Sequence, residues 1–118
     1  MTIKKLLKLP RCYRLTRLEG FSQILKQRAQ TNLWFAVHSK KNSLGHARLG
    51  ISISKRVQPT SVWRNNTKRL IRECFCRCTP QDVARDVVVR LRKPLSMEDR
   101  LIARTVLGEM LKTELATK

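Results

Sequence analysis

Residues 48–73 read RLGISISKRVQPTSVWRNNTKRLIRE, and the hydrophobic period changes within this stretch. In its first part, apolar side chains alternate with small or polar ones: Leu49, Ile51, Ile53 and Val57 take one face, and Gly50, Ser52 and Ser54 take the other. This period of two predicts a strand over residues 48–56. Pro59, Thr60 and Ser61 then open a segment with helical periodicity, which we expect to run to about Arg77.

The predicted helix has one basic face. At ~100° per residue, an arc of roughly 140° is formed by Arg64, Asn65, Lys68, Arg69 and Arg72. Leu70, Ile71, Cys74 and Cys78 occupy the opposite side, and Phe75 projects near the edge of the basic arc. We therefore expect one face to be buried and the other to present donors that suit phosphates.

Further elements are predicted on both sides of this strand and helix. They are a helix from about Arg17 to Arg28, a strand over Leu33–Ser39, a strand over Val83–Leu91 and a helix over Met97–Leu115. Capping signals precede both helices, at Thr16 with Glu19 and at Ser96 with Asp99. The apolar stripe of the last helix is Leu101, Ile102, Val106, Leu107, Met110 and Leu111.

The order of these elements is α-β-β-α-β-α, with a further short strand allowed. It predicts an α+β fold, a two-layer sandwich in which helices cover a small mixed sheet. The continuous apolar run Val87–Val89 indicates that its strand is central in that sheet.

Length and charge restrict the kind of protein. The 118 residues predict one domain over residues 1–118, with residues 1–8 as a mobile basic arm. Twenty-six Lys and Arg against 8 Asp and Glu give a formal charge of +18, spread along the whole chain. This distribution favours a nucleic-acid partner over a membrane or a heparin-like one. Neither a targeting segment nor an apolar run of ~20 residues is recognisable, so we expect a cytoplasmic location.

The cysteines do not form a convincing metal site. Cys12, Cys74, Cys76 and Cys78 should be reduced in a cytosol. On a helix, Cys74 and Cys78 share one face while Cys76 points away, and no His lies near them in sequence. We therefore expect structural cysteines and no metal held by the protein.

No catalytic constellation is apparent either. The eight acids are scattered, and Glu98 and Asp99 suit the first turn of a helix, where negative charge is favourable. A protein nuclease would need clustered carboxylates or paired acid and base groups. The sequence therefore predicts a binding protein without catalytic residues of its own.

The strand ending in Ser54-Lys55-Arg56 and the motif RNNTKRLIRECF at residues 64–75 resemble the bacterial ribonuclease P protein component. That family has a strand ending S-K-K/R, a short loop, and then R-N-R-x-K-R-x-x-R-E-x-F. Leu9-Pro10-Arg11, with Arg14-Leu15 and Phe21, resembles its N-terminal segment, and Asp86–Val89 resembles its late strand. The resemblance spans about residues 9–113. One departure is Asn66, where the family usually has Arg, so the charge and the five-donor fork are lost.

The resemblance implies a left-handed β-α-β crossover from the 48–56 strand through the basic helix, similar to the second domain of small-subunit ribosomal protein five. The general rule for parallel strands predicts the opposite hand. It also implies a subunit of an RNA enzyme. The RNA, with bound Mg²⁺, cleaves precursor tRNA, while the protein binds ribonuclease P RNA and the single-stranded 5′ leader. We expect one protein per RNA.

Two sets of site residues follow from the resemblance. Contacts to the catalytic RNA, and ordering of metal ions beside it, are expected of Arg64, Asn65, Asn66, Lys68, Arg69 and Arg72. The leader cleft is expected to include Phe21, Leu25, Ser52 and Arg56, to which we add Lys55 and His38. Phe21 is equally compatible with the core. For the first strand we expect Phe35 in the core and His38 at the cleft.

Two other functions compete with this one. A ribosomal or other structural RNA-binding protein would show the same charge and a similar α+β order. A double-stranded DNA binder of the helix-turn-helix type needs a second helix a short turn before the basic one, where this sequence has Pro59 and a strand.

Overall fold

A computed structural model describes residues 15, 21–26, 29–78 and 83–116. Its elements are α1 Phe21–Leu25, β1 Gln30–Thr31, β2 Phe35–Lys41, β3 Arg48–Ser52, α2 Ser61–Cys78, β4 Arg85–Leu91 and α3 Arg100–Ala116. The predicted basic arm at residues 1–8, Cys12, the Thr16 capping signal and the outer parts of the first predicted helix lie outside the described residues. No described helix has the length and apolar character that crossing a membrane requires.

The four strands form one mixed sheet in the order β1-β2-β4-β3. β4 pairs antiparallel with β2 and parallel with β3, and β1 pairs antiparallel with β2. The central position predicted for β4 is therefore confirmed. Because β3 and β4 are parallel, α2 is the crossover that joins them. The left-handed sense of this crossover stays a prediction.

Helices lie on both faces of the sheet, as the alternation along β4 shows. Val87 and Val89 point into the main core, which α2 and α3 complete. Val88 points to the other face, where it packs with Leu15 and with Ile24 of α1. The α+β prediction is confirmed, with the α2–α3 layer on one face of the sheet and α1 as a small addition on the other.

α2 buries a wider arc than its predicted apolar stripe. Phe75, predicted at the edge of the basic arc, is fully buried, and Cys76, predicted to point away, is also in the main core. Both side chains are covered because α2 packs against β3 and against α3 at once, so two adjoining sides of the helix are buried. The burial of Cys76 agrees with the structural role expected of the cysteines. Burying a large apolar side chain such as Phe75 contributes roughly 1.5–3 kcal/mol.

The predicted stripe of α3 also needs correction in its first turn. Leu101 and Ile102 are 74% and 58% exposed, whereas the small Ala103, which the stripe omitted, is fully buried. The remaining core positions of this helix are Leu107, Met110, Leu111 and Leu115. Leu101, Ile102 and Ala103 are consecutive apolar residues that project from different sides of the first turn. Of these three, Ala103 is the one that packs into the core.

Local hydrogen bonds set strand ends that periodicity placed differently. The Asn32 side chain accepts from the backbone N–H groups of Trp34 and Phe35, at 2.9 and 2.8 Å, so β2 begins only at Phe35. This turn buries Trp34 and leaves Leu33 exposed. β3 ends at Ser52, because Ser54 accepts from the N–H of Val57 through Oγ at 3.2 Å and closes a turn.

Candidate nucleic-acid interface

The outer side of α2 carries all six residues predicted to contact RNA. Thr60 begins the helix by accepting the Arg64 N–H at 2.9 Å, and Leu70 and Ile71 anchor the inner side in the core. Asn65 and Arg69 are exposed. The half-buried members of the set are Arg64, Asn66, Lys68 and Arg72. The helix therefore presents four cations and Asn65 in one row, with Asn66 beyond its edge.

Two of these cations already have partners within the chain. Arg64 Nη1 donates to the backbone carbonyls of Gln58 and Pro59 at 3.1 and 2.6 Å, so it holds the loop that enters α2. Arg69 Nε donates to Glu73 Oε1 at 3.1 Å. Within the described residues, Lys68 and Arg72 make no hydrogen bond or ion pair. They are therefore the cations of this row whose donors are open to an outside acceptor.

The opposite face of the sheet carries the predicted leader residues. The strand register places His38, Val88 and Gly50 in one row, and Ala36, Arg90 and Ser52 in the next. His38 lies on the predicted face but is only 5% exposed, so it belongs to the floor of this face. Ser52 is half-buried and open to solvent on the same side.

The other predicted leader residues are distributed around this face. Leu25, on α1, is half-buried against the small core that includes Val88. Lys55 and Arg56 are exposed in the turn after β3. Phe21 begins α1, but its side chain lies outside the described residues. The structure thus brings Leu25, His38 and Ser52 to one side of the sheet and places the two cations in the adjoining loop.

Arg90 is a further cation of this face, and it was not predicted. It is exposed in β4, and its register partners are Ala36 and Ser52. Its position follows from the alternation that sends Val87 and Val89 to the core and their neighbours to the other side. The same alternation can be read from the sequence, so this position was predictable.

An ion pair closes the other end of the same face. Arg48 Nε and Nη2 donate to the two carboxylate oxygens of Asp86, each at 2.8 Å, and Asn42 Nδ2 donates to Asp86 Oδ1 at 2.8 Å. The Arg48 and Asp86 side chains are only 12% and 10% exposed. This bidentate pair holds β3 against β4 at the end of the sheet away from Arg90 and Ser52.

The cysteine thiols of α2 are protonated at neutral pH. Burial raises the pKa of Cys74 from 9.0 to about 11, and its Sγ donates to the Arg104 carbonyl at 3.6 Å. Burial also raises the pKa of Cys76 and of Cys78. In the described part of the chain, no three His, Cys, Asp or Glu side chains come together as a metal-binding group.

The shifted thiol predicts a loss of stability at alkaline pH. In the unfolded chain Cys74 ionises near pH 9.0, whereas in the fold it stays protonated up to about pH 11. Its contribution is therefore complete below pH 9 and is lost as the pH rises, by on the order of 2 kcal/mol. Urea unfolding at several alkaline pH values measures this loss. The free energy of unfolding of Cys74→Ala should fall less steeply with rising pH than that of the wild-type chain. Equal slopes in both proteins would contradict the assignment.

The charge and geometry described above define a class of protein. A strongly basic α+β domain with a cationic helix face on one side of its sheet is a nucleic-acid-binding protein. Comparison with known proteins narrows the class, since the ribonuclease P family model matches residues 9–113. The chain belongs to the ribonuclease P protein family. It is thus an RNA-binding protein of tRNA processing and a member of a ribonuclease P holoenzyme.

Individual relatives agree with the family match. The chain is similar to the ribonuclease P protein component of Aromatoleum aromaticum, with 37% identity over 75% of each sequence. It is similar to that of Staphylococcus epidermidis, with 36% identity over 86% of this chain and 90% of the relative. The solved ribonuclease P protein of Thermotoga maritima superposes with a TM-score of 0.71 at 32% identity, over 85% of this chain and 96% of the other.

Proposed function

We propose that this chain binds the catalytic RNA of ribonuclease P through the outer face of α2, and that the RNA cleaves the 5′ leader from precursor tRNA. The observation that carries the proposal is the row of cations on α2, in which Lys68 and Arg72 have no partner among the described residues. Each phosphate that such a row neutralises releases counterions, so binding should weaken steeply with salt.

The leader of the precursor is assigned to the other face of the sheet. Ser52, Arg90 and Leu25 offer a polar group, a cation and an apolar surface on that side, with Lys55 and Arg56 in the next loop. Single-stranded RNA is bound by this combination, in which apolar surfaces take the bases and cations follow the backbone. Placing the two RNAs on opposite faces lets one small protein contact both at once.

The residues of α2 do not suit Mg²⁺ by themselves. The motif face has cations and amides, and its one carboxylate, Glu73, is engaged by Arg69. Mg²⁺ prefers oxygen ligands and is commonly bound with phosphates. In this proposal the RNA holds the Mg²⁺ that supports cleavage, and the protein positions the RNA that binds it. We further propose one protein per RNA, acting in the cytoplasm.

The decisive test is cleavage at a Mg²⁺ concentration too low for the RNA alone. The purified chain, mixed with a bacterial ribonuclease P RNA and a precursor tRNA, should restore cleavage at the mature 5′ end. The protein alone should not cut the substrate. RNA binding without any stimulation would instead support a structural RNA-binding protein.

The same reaction tests the assignment of the leader face. Arg90→Ala should raise KM for a substrate with a long leader and leave KM unchanged for one whose leader is a single nucleotide. Lys40→Ala, which removes an exposed cation at the far end of β2, is the matched control. If Arg90→Ala changed KM equally for the two substrates, the leader would not bind on this face.

A further inference from the structure

An apolar groove lies beside the first turn of α2, on the side of the sheet that carries α2 and α3. It has a volume of about 270 Å³ and is lined mainly by Pro59, Trp63, Leu95 and Met97. Trp63 is half-buried and Met97 is 64% exposed, so both side chains offer apolar surface to solvent. A groove slightly smaller than the roughly 300–1,000 Å³ of ordinary ligand pockets suits one flat ring.

The groove is rigid because Gln58 braces its two walls. The buried Gln58 amide donates to the Leu95 carbonyl at 3.3 Å and accepts the Leu95 N–H at 3.4 Å. The same Nε2 also lies 3.4 Å from Thr67 Oγ1, on α2. These bonds tie the loop before α2 to the segment before α3. A ligand would therefore meet a preformed surface, which limits the ordering cost of binding.

The charges around the groove indicate the occupant. Arg64 Nη1 is bonded to the carbonyls of Gln58 and Pro59, so the guanidinium lies at one edge of the groove. At the other edge, Ser96 Oγ donates to Asp99 Oδ2 at 2.9 Å, which places a carboxylate there. A nucleotide suits this polarity if its base enters the groove and its phosphate lies on the Arg64 side.

We propose that this groove takes an unpaired base of the catalytic RNA, stacked on the indole of Trp63. The inference rests on the proposed function, since it extends the RNA contact of α2 by one residue toward the N-terminus. The catalytic RNA is the source, because the leader residues Ser52 and Arg90 lie on the other face of the sheet. Stacking on an aromatic ring is tolerant of sequence and is worth roughly 5- to 150-fold in affinity per base.

The test measures binding to a bacterial ribonuclease P RNA without substrate. Trp63→Ala should weaken binding by about 10-fold or more without changing the salt dependence, because no phosphate contact is removed. Trp63→Phe should retain most of the affinity. Val62→Ala is the matched control, since Val62 is 63% exposed one residue earlier and does not line the groove. Thermal melts establish that each variant is folded.

Fluorescence gives a second readout of stacking. The chain has two tryptophans, and the other one, Trp34, is only 7% exposed. RNA should quench the fluorescence of the wild-type chain, and the quenching should disappear in Trp63→Phe, where only Trp34 remains.

Three results would overturn the proposal. They are equal affinities for Trp63→Ala and Val62→Ala, a defect seen only with leader-bearing substrate, or quenching that persists in Trp63→Phe. Each of these is distinct from failure of the proposed function, in which the wild-type chain itself would not restore cleavage.

Discussion

Replacing Lys68 and Arg72 together by Ala should lower the affinity of the chain for ribonuclease P RNA by roughly 100-fold. The two side chains are one helical turn apart on the outer face of α2 and have no partner within the described residues. Each can donate a charge-assisted hydrogen bond to a phosphate. Such bonds contribute roughly 1.5–3 kcal/mol, and solvent at this surface favours the lower end of that range.

Filter binding over a series of salt concentrations measures this effect. Besides the loss of affinity, the slope of log K against log salt should become shallower by about 2, one for each lost phosphate contact. Lys68 and Arg72 make a sharper test than Arg64 and Arg69. Removing Arg64 would also free the loop before α2, and Arg69 is engaged by Glu73.

A matched control separates specific contacts from net charge. Arg77→Ala/Lys112→Ala also removes one Arg and one Lys, both exposed, so either double variant lowers the formal charge of +18 by two. The control should keep most of the affinity. If both double variants lost affinity equally, the binding would depend on overall charge, and the motif face of α2 would have no special role.

Asp86→Ala should destabilise the fold by about 3–5 kcal/mol. Asp86 accepts two hydrogen bonds from Arg48 and one from Asn42, at a site where both charged side chains are nearly buried. Its removal leaves the Arg48 guanidinium without its carboxylate in a poorly solvated place. Domains of this kind have total stabilities of about 5–15 kcal/mol, so the loss is a large share.

Urea denaturation followed by circular dichroism measures this loss. If Asp86→Ala proves too unstable to purify, Asp86→Asn retains one acceptor for Asn42 and should show a smaller effect of the same sign. The double variant Arg48→Met/Asp86→Leu should recover much of the stability, because it leaves no unpaired buried charge.

The exposed ion pair between Arg69 and Glu73 should contribute much less to stability than the nearly buried pair between Arg48 and Asp86. Arg69 and Glu73 are 74% and 45% exposed, so Glu73→Ala should change the stability by no more than about 0.5 kcal/mol. A cost below about 1 kcal/mol for Asp86→Ala would show that water reaches Arg48 and that the pair does not hold β3 to β4.

The element types were predictable because local sequence determines them. The alternation of Leu49, Ile51 and Ile53 predicted β3, and the Ser96 capping signal appears as a bond from the Asp99 N–H to Ser96 Oγ at 3.3 Å. Element ends were less predictable. They depend on single side-chain bonds, such as those of Asn32 and Ser54, which compete with the strand ladder and leave no periodic trace.

The residues of the candidate site also divide into those predictable from local sequence and those that depend on the tertiary structure. The basic face of α2 was predictable, since a helix face follows from spacing alone, whereas Asn66 was included only through the family resemblance. The burial of His38 and the groove at Trp63 were not predictable, because each depends on which distant segment lies beside it, whereas the outward position of Arg90 follows from alternation along its own strand. His38 is covered only once its strand is paired and packed, and Trp63 faces a groove only because Gln58 holds Leu95 across 37 residues of sequence.

The sequence by itself determined the class of fold, the cationic face of α2 and the affinity for a polyanion. Periodicity, capping and charge are local properties, and the motif at residues 64–75 carries the family resemblance. Only the tertiary structure decided that α1 lies on the face opposite to α2 and α3, that Phe75 and Cys76 are buried, and that Arg48 meets Asp86 across 38 residues. These features arise when separate segments exclude water between them, so no local pattern encodes them.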